Sequence, residues 1–253
     1  MESAAVRLWM LSLLLLSSSV WAVDLTIAAA SSYRPLLTEL AAEFEQREGV
    51  SLRLVFASSG KLATQVQHGA PYDLYFSADD NYLQHLQQAG YLSGDAITDG
   101  YGQLVLWSAK AGTLPDSVEQ LAGMKSVTLA IAQPRHAPFG KAAMHFLEGH
   151  QLADAVQGQL VYAENVAQAA QMALTGAADM ALVALSVLPV EQRNNNQMLL
   201  LHMTDNFLLK QSHAVLKRAK NKTLAKQFSQ FTQLQEFDQL KRKHGLITGT
   251  TNE

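Results

Sequence analysis

The sequence contains no cysteine, so neither a disulfide nor a thiolate nucleophile is available, and the fold must rest on core burial. The same absence excludes a lipid-anchoring cysteine after the apolar N-terminal stretch. Basic residues are not in excess: 19 Lys and Arg face 22 Asp and Glu, a formal charge of −3, which leaves no basic footprint for nucleic acid. Catalytic signatures are missing too. Neither G-x-S-x-G nor H-E-x-x-H occurs, and His145 and His150 stand five apart, the wrong spacing for joint ligation from one helical face. No cofactor and no direct metal ligand is expected.

Long apolar runs are scarce. The run Leu8 to Leu16, broken by Ser12, is shorter than the ~20 residues that span a bilayer. Arg7 precedes it and the small residues Ser17-Ser18-Ser19-Val20-Trp21-Ala22 follow it. This is the order of a secretory leader, with Val23 as the expected mature N-terminus.

Beyond residue 22, strand and helix signals alternate, the pattern of an α/β protein. Strands are expected at Leu25–Ala29, Leu52–Ala57 and Asp73–Ser77, with helices between them that stop at Gly49, Gly69 and Gly90. Asp79 or Asp80 should cap the third helix. A second unit begins at Leu104–Trp107, with a Ser117-capped turn, strands at 127–132, 160–162 and 180–184, and helices at 140–149 and from about Asn165 to Gly176. Polar residues 192–197 read as a loop. Apolar runs at 198–201 and 213–216 then precede C-terminal helices from Lys222 to about His244. No Gly/Ser linker divides the halves, which implies an intertwined pair of domains joined by crossing strands.

Two junctions share one design. Ile27-Ala28-Ala29-Ala30-Ser31-Ser32 and Val55-Phe56-Ala57-Ser58-Ser59-Gly60 each end an apolar strand in small hydroxyl residues just before a helix. A helix start exposes unpaired N–H groups and the positive end of the peptide dipoles, so hydroxyls placed there extend a receptor for an oxyanion. Two further junctions lie in the second half, at Pro134-Arg135-His136-Ala137-Pro138-Phe139-Gly140 and at Ala163-Glu164-Asn165-Val166. A serine at a helix start is most often a cap alone. Lys61 is read as solvated, Glu164 as turned outward, and Arg135 and His136 as rim residues. Gly60-Lys61 lacks the first glycine and the Ser/Thr of a P-loop.

Ala28-Ala29-Ala30-Ser31, Phe56-Ala57-Ser58-Ser59, the segment Gly69 to Asp79 (GAPYDLYFSAD) and Ala163-Glu164-Asn165-Val166 resemble the periplasmic molybdate-binding proteins of ABC transporters. The resemblance runs in order through the mature chain. It implies a type II periplasmic binding protein: an α/β fold of two lobes, each a mixed sheet flanked by helices, joined by two hinge crossovers. The implied boundaries are a signal peptide at 1–22, lobe I at 23–102 with 212–253, and lobe II at 103–211. The family's oxyanion contacts carry over to Ser31, Ser59 and the amides of Phe139 and Val166. Ala184 stands where some members donate a tyrosine hydroxyl, and Ser32 stands beside the first serine where another branch has a side-chain amide. The resemblance further implies tungstate alongside molybdate, a membrane-embedded permease as partner, a monomer, and a periplasmic location.

Three rival readings have distinct requirements. Sulfate, thiosulfate or another tetrahedral oxyanion would use the same donors in a cavity of different size. A secreted hydrolase needs a histidine within hydrogen-bond reach of Ser31 or Ser59. An effector-sensing domain of a transcription regulator would need a DNA-binding segment, which the sequence lacks.

Overall fold

A computed structural model describes residues 23–193, 197–202 and 209–248. The expected leader and residues 194–196 of the expected loop lie outside the described residues. Strand β1 (Leu25–Ala30) is buried along its whole length, as a central parallel strand covered on both faces must be. A 3-10 turn, Ser31–Tyr33, leads into α1 (Arg34–Glu48), which carries Pro35 in its first turn and ends on Gly49 in the left-handed conformation, φ 66°. Then follow β2 (Leu52–Ala57), α2 (Ser59–Gln67), β3 (Leu74–Ser77) and α3 (Asp80–Gln88). Asp79 is the cap of α3: its carboxylate accepts the Asn81 N–H at 3.0 Å. Asp73 accepts the N–H groups of Thr26 and Lys220, both at 2.7 Å, and so fastens the start of β1 to the segment after the last long strand.

Strand β4 (Ile97–Gly102) is followed, after Gln103 alone, by β5 (Leu104–Trp107). Next come β6 (Leu129–Ala132), α4 (Pro138–Gly149), α5 (Ala153–Val156), β7 (Leu160–Ala163), α6 (Val166–Leu174), β8 (Met180–Ala184) and β9 (Met198–Leu201). The chain ends with β10 (Leu209–Val215), α7 (Lys222–Phe231), α8 (Asp238–Lys243) and the short β11 (Leu246–Ile247).

Several elements differ from expectation. Strand β4 was not expected, because Ile-Thr-Asp-Gly-Tyr-Gly has neither alternation nor a continuous apolar run. Strand β10 starts four residues before the apolar run that signals it, through Lys210 and Gln211. The C-terminal helices fall where expected, separated by a 3-10 turn at Gln235–Phe237. Ser117 precedes a 3-10 turn and its hydroxyl makes no capping bond.

The strands form two sheets, ordered β11-β4-β10-β3-β1-β2 and β7-β6-β8-β5-β9. In the first, β1 lies between parallel neighbours β2 and β3, while β10 runs antiparallel to β3 and β4. In the second, β6 lies between parallel neighbours β7 and β8, while β5 runs antiparallel to β8 and β9. The two sheets therefore repeat one topology, and each reverses its winding at a central strand. Open α/β sheets bind ligands at the carboxyl ends of strands beside such a reversal. The chain crosses between the sheets twice, from β4 to β5 and from β9 to β10.

Candidate functional site

The carboxyl ends of β1, β2, β3, β6 and β7 converge on one cavity with about 190 Å³ of atom-free space, its open mouth included. Its wall brings together all five residues expected from sequence: Ser31, Ser32, Ser59, Phe139 and Val166. Ser58 and small residues such as Ala30, Ala57, Ala78 and Ala137 add to the wall, and among the described residues no Lys, Arg, His, Asp or Glu lines it. Ala184 ends β8 in the core and is not a wall residue.

Helix capping does not use the serine hydroxyls. Neither the turn at Ser31–Tyr33 nor the helix at Ser59–Gln67 has a side-chain capping bond. Instead, Ser31 Oγ accepts the Ala167 N–H from the opposite sheet's helix α6, at 3.4 Å. Ser59 Oγ accepts the Ala78 N–H at 3.0 Å, and Tyr75 Oη donates to the Ser59 carbonyl at 2.8 Å. A hydroxyl that accepts from a backbone amide keeps its own proton free to donate. Ser32 Oγ is buried and has no hydrogen-bond partner among the described residues. A buried hydroxyl in that state costs free energy unless a ligand meets it.

The remaining donors are backbone amides. Phe139 is the second residue of α4 and Val166 the first of α6, so both N–H groups belong to first turns without intrahelical acceptors. Asn165 fixes the start of α6 by accepting the Gln168 N–H at 3.1 Å. The Phe139 ring is buried and lies close to Gly102, the last residue of β4, so the loop that carries this amide is seated on the first crossover. Hydroxyls from one sheet and helix dipoles from the other thus face a shared space. Such an arrangement suits an anion with acceptor oxygens on every side.

Contacts between the two halves surround the mouth. Gly60 N–H donates to the His136 carbonyl at 2.9 Å, and Ser58 Oγ lies 2.8 Å from His136 Nδ1. Glu164 Oε1 is 3.2 Å from His136 Nε2 and 2.5 Å from Lys61 Nζ. The residues read from sequence as solvated or turned outward are therefore half-exposed partners of one another. The Lys61 ammonium bonded to Glu164 holds its carboxyl below the usual range. Burial lowers the basicity of the His136 imidazole, Lys61 and Arg135 add to this, and Glu164 opposes it.

A pH dependence follows from these directions. Because the packed arrangement lowers the His136 basicity, its contribution to that arrangement is present above the ordinary histidine range and is lost as pH falls through the lowered value. Glu164 acts with the same sign in a more acidic window, below the ordinary carboxyl range. Oxyanion affinity should therefore weaken from about pH 8 to pH 5, and His136→Gln should flatten that slope. Calorimetry across pH on both proteins checks it; an equal slope in the two would exclude His136 as its source.

Among the described residues, the histidine that meets a serine of the wall is His136, the pairing that a hydrolase reading would need at Ser31 or Ser59. His136 meets Ser58 instead. A second set, Ser229, His213 and Asp99, has the connectivity of a hydrolytic triad, with His213 Nε2 2.7 Å from Ser229 Oγ and Nδ1 2.8 Å from Asp99 Oδ1. All three residues are buried, and Phe76 stacks on the imidazole at 4.4 Å, so no substrate reaches that serine.

Comparison with known proteins agrees with this geometry. The molybdate-binding protein ModA of Azotobacter vinelandii is 34% identical over 173 residues, 68% of this chain and 69% of that protein. ModA of Rhodobacter capsulatus is 28% identical over 227 residues, 89% of this chain and 88% of the relative. The solved structure of the Azotobacter vinelandii periplasmic molybdate-binding protein superimposes with a TM-score of 0.83 at 28% identity, covering 90% of this chain and all of that one. The two mixed, helix-flanked sheets are those of a type II periplasmic binding protein. The model of the bacterial extracellular solute-binding proteins matches residues 25–247, and the chain belongs to that family.

Proposed function

We propose that this protein captures molybdate, and with it tungstate, in the cleft between its two sheets and delivers it to the permease of an ABC transporter. The observation that carries the reading is a wall of hydroxyls and first-turn amides, drawn from both sheets, with no charged side chain among the described residues. Neutral donors stabilise a fully ionised tetrahedral dianion, whose oxygens can accept from each of them, whereas a protonated anion offers fewer acceptor sites to the same donors. Sulfate has the same charge and shape but is smaller, so a donor ring of fixed radius discriminates by size. Ser31, Ser32, Ser59 and the amides of Phe139 and Val166 are assigned as the contacts, the ion being cargo held through its oxygens.

Two lobes fit this role, one around each sheet, with β10 returning the chain to the first lobe from Leu209. A monomer, exported to the periplasm with residues 1–22 removed, suits the leader pattern and the family. The relatives are binding proteins, and the burial of Ser229, His213 and Asp99 supports a protein without catalysis. Lobe closure over the ion would report occupancy to the permease by population shift.

The test is a thermal-shift and calorimetric panel of molybdate, tungstate, sulfate and thiosulfate. Ser31→Ala and Ser59→Ala should each weaken molybdate binding by about 1–3 kcal/mol without unfolding the protein. Unchanged affinity in both variants would reject the assigned contacts, and preference for sulfate would reassign the cargo.

A further inference from the structure

A buried polar network lies behind the first serine turn. Tyr33, the last residue of the turn that carries Ser31 and Ser32, donates its hydroxyl to Asp99 Oδ2 at 2.7 Å. Asp99 Oδ1 is met by His213 Nδ1 at 2.8 Å and by Gln233 Nε2, also at 2.8 Å. Three polar groups therefore meet one carboxyl group that is 5% exposed, as a buried polar side chain requires.

The placement of these groups matters more than their number. Asp99 stands on β4, the strand from which the chain leaves the first sheet after Gly102. His213 stands on β10, the strand by which it returns, and the two strands pair directly. One carboxylate thus holds both crossing strands and, through Tyr33, the turn at the end of β1. Phe76 fills the space between, edge-on to Tyr33 at 5.4 Å and stacked on His213 at 4.4 Å. Phe76 also lies on β3, two residues before Ala78, whose amide bonds to Ser59 Oγ.

We propose that Asp99 is a positioning residue for the anion site: through Tyr33 it fixes the Ser31–Ser32 hydroxyls relative to the two strands about which the lobes turn. The inference rests on the oxyanion reading of the cavity. Asp99 does not line the cavity. Its part is to keep the serine turn from shifting when the second lobe rotates, so that closure brings α4 and α6 to donors already in place. An unanchored turn would have to be ordered by the ligand, which lowers affinity without removing any donor.

Tyr33→Phe tests this with the smallest change, since it deletes one hydroxyl and keeps the ring against Phe76. The expected result is a roughly tenfold loss of molybdate affinity, and Ser31→Ala should cost less in the Tyr33→Phe background than in the wild type. Asp73→Asn, a lesion at the opposite end of β1, serves as the structural comparison: it should lower the melting temperature of the ligand-free protein and leave affinity unchanged. If Tyr33→Phe behaves like Asp73→Asn, or if its loss adds fully to that of Ser31→Ala, the positioning role is overturned while the binding function stands. A wild type that binds no oxyanion in the panel overturns the functional reading, and this inference with it.

Discussion

Gly60→Ala is expected to weaken molybdate binding by roughly 5- to 150-fold while the ligand-free protein melts no lower than the wild type. Gly60 sits in the first turn of α2, and a methyl group there would lie 2.9 Å from the His136 carbonyl oxygen, 3.0 Å from His136 Cα and 2.8 Å from the Tyr82 hydroxyl. The tyrosine is the end of a side chain and can swing away. The His136 backbone belongs to the other lobe and can yield only if the lobes part. Overpacking of this kind costs about 1–3 kcal/mol, and the cost falls on the closed form alone. Within α2 the same substitution replaces glycine by a better helix former, worth about 0.8–1 kcal/mol. Affinity and stability should therefore move in opposite directions, which a general folding defect cannot produce. Calorimetry for affinity and scanning calorimetry for melting, run on one preparation, check both. Wild-type affinity in the variant would mean that closure does not bring Gly60 against His136.

The same residues show how much of the architecture was readable beforehand. The β-α-β order, the two serine turns and the two amide-bearing loops were legible because each is local: a short apolar run, a small hydroxyl, then helical spacing. The site followed, since parallel strands must end on one side of their sheet. What was not legible is what depends on partners far along the chain. Asp99 sits in a segment with no strand pattern, and its significance comes from Tyr33, His213 and Gln233, which are 66, 114 and 134 residues away. Ser58 and His136 are 78 apart and belong to different sheets, so a rim residue and a presumed cap gave no sign of touching. Lys61 and Glu164 were each assigned to solvent on base expectation, and both are still half-exposed; only the folded chain brings them together as a pair. Gly60 was read only as part of a serine junction and a failed P-loop match, and its close approach to the His136 backbone needed the fold to become visible.

Gly140→Ala should be the more damaging change, because here the obstruction lies inside one lobe. An added methyl at position 140 would stand 2.1 Å from the Ala132 carbonyl oxygen and 2.7 Å from its carbon. Ala132 is the last residue of the buried strand β6 and pairs with Ala163 of β7, so its backbone is fixed. Gln133, directly after it, is held by its N–H bond to the Ala163 carbonyl at 2.8 Å. Neither side of the contact is a side chain that can rotate, so α4 itself must lift from the strand end by about an ångström or more. That movement would carry the Phe139 amide away from the cavity and the Phe139 ring away from Gly102, disturbing the site and the crossover together. Backbone displacement in a packed core belongs to the upper range of single substitutions, above about 3 kcal/mol. For a chain of this length that corresponds to a melting temperature lower by roughly 6–12 °C, with molybdate no longer raising it. Gly60→Ala and Gly140→Ala thus separate two demands that the sequence meets with the same residue type. One glycine lets two lobes meet, and its loss should be seen only in the bound state. The other lets a helix start against its own strand, and its loss should be seen with or without ligand. A Gly140→Ala protein that melts like the wild type and still responds to molybdate would show that α4 is not seated on β6 as described.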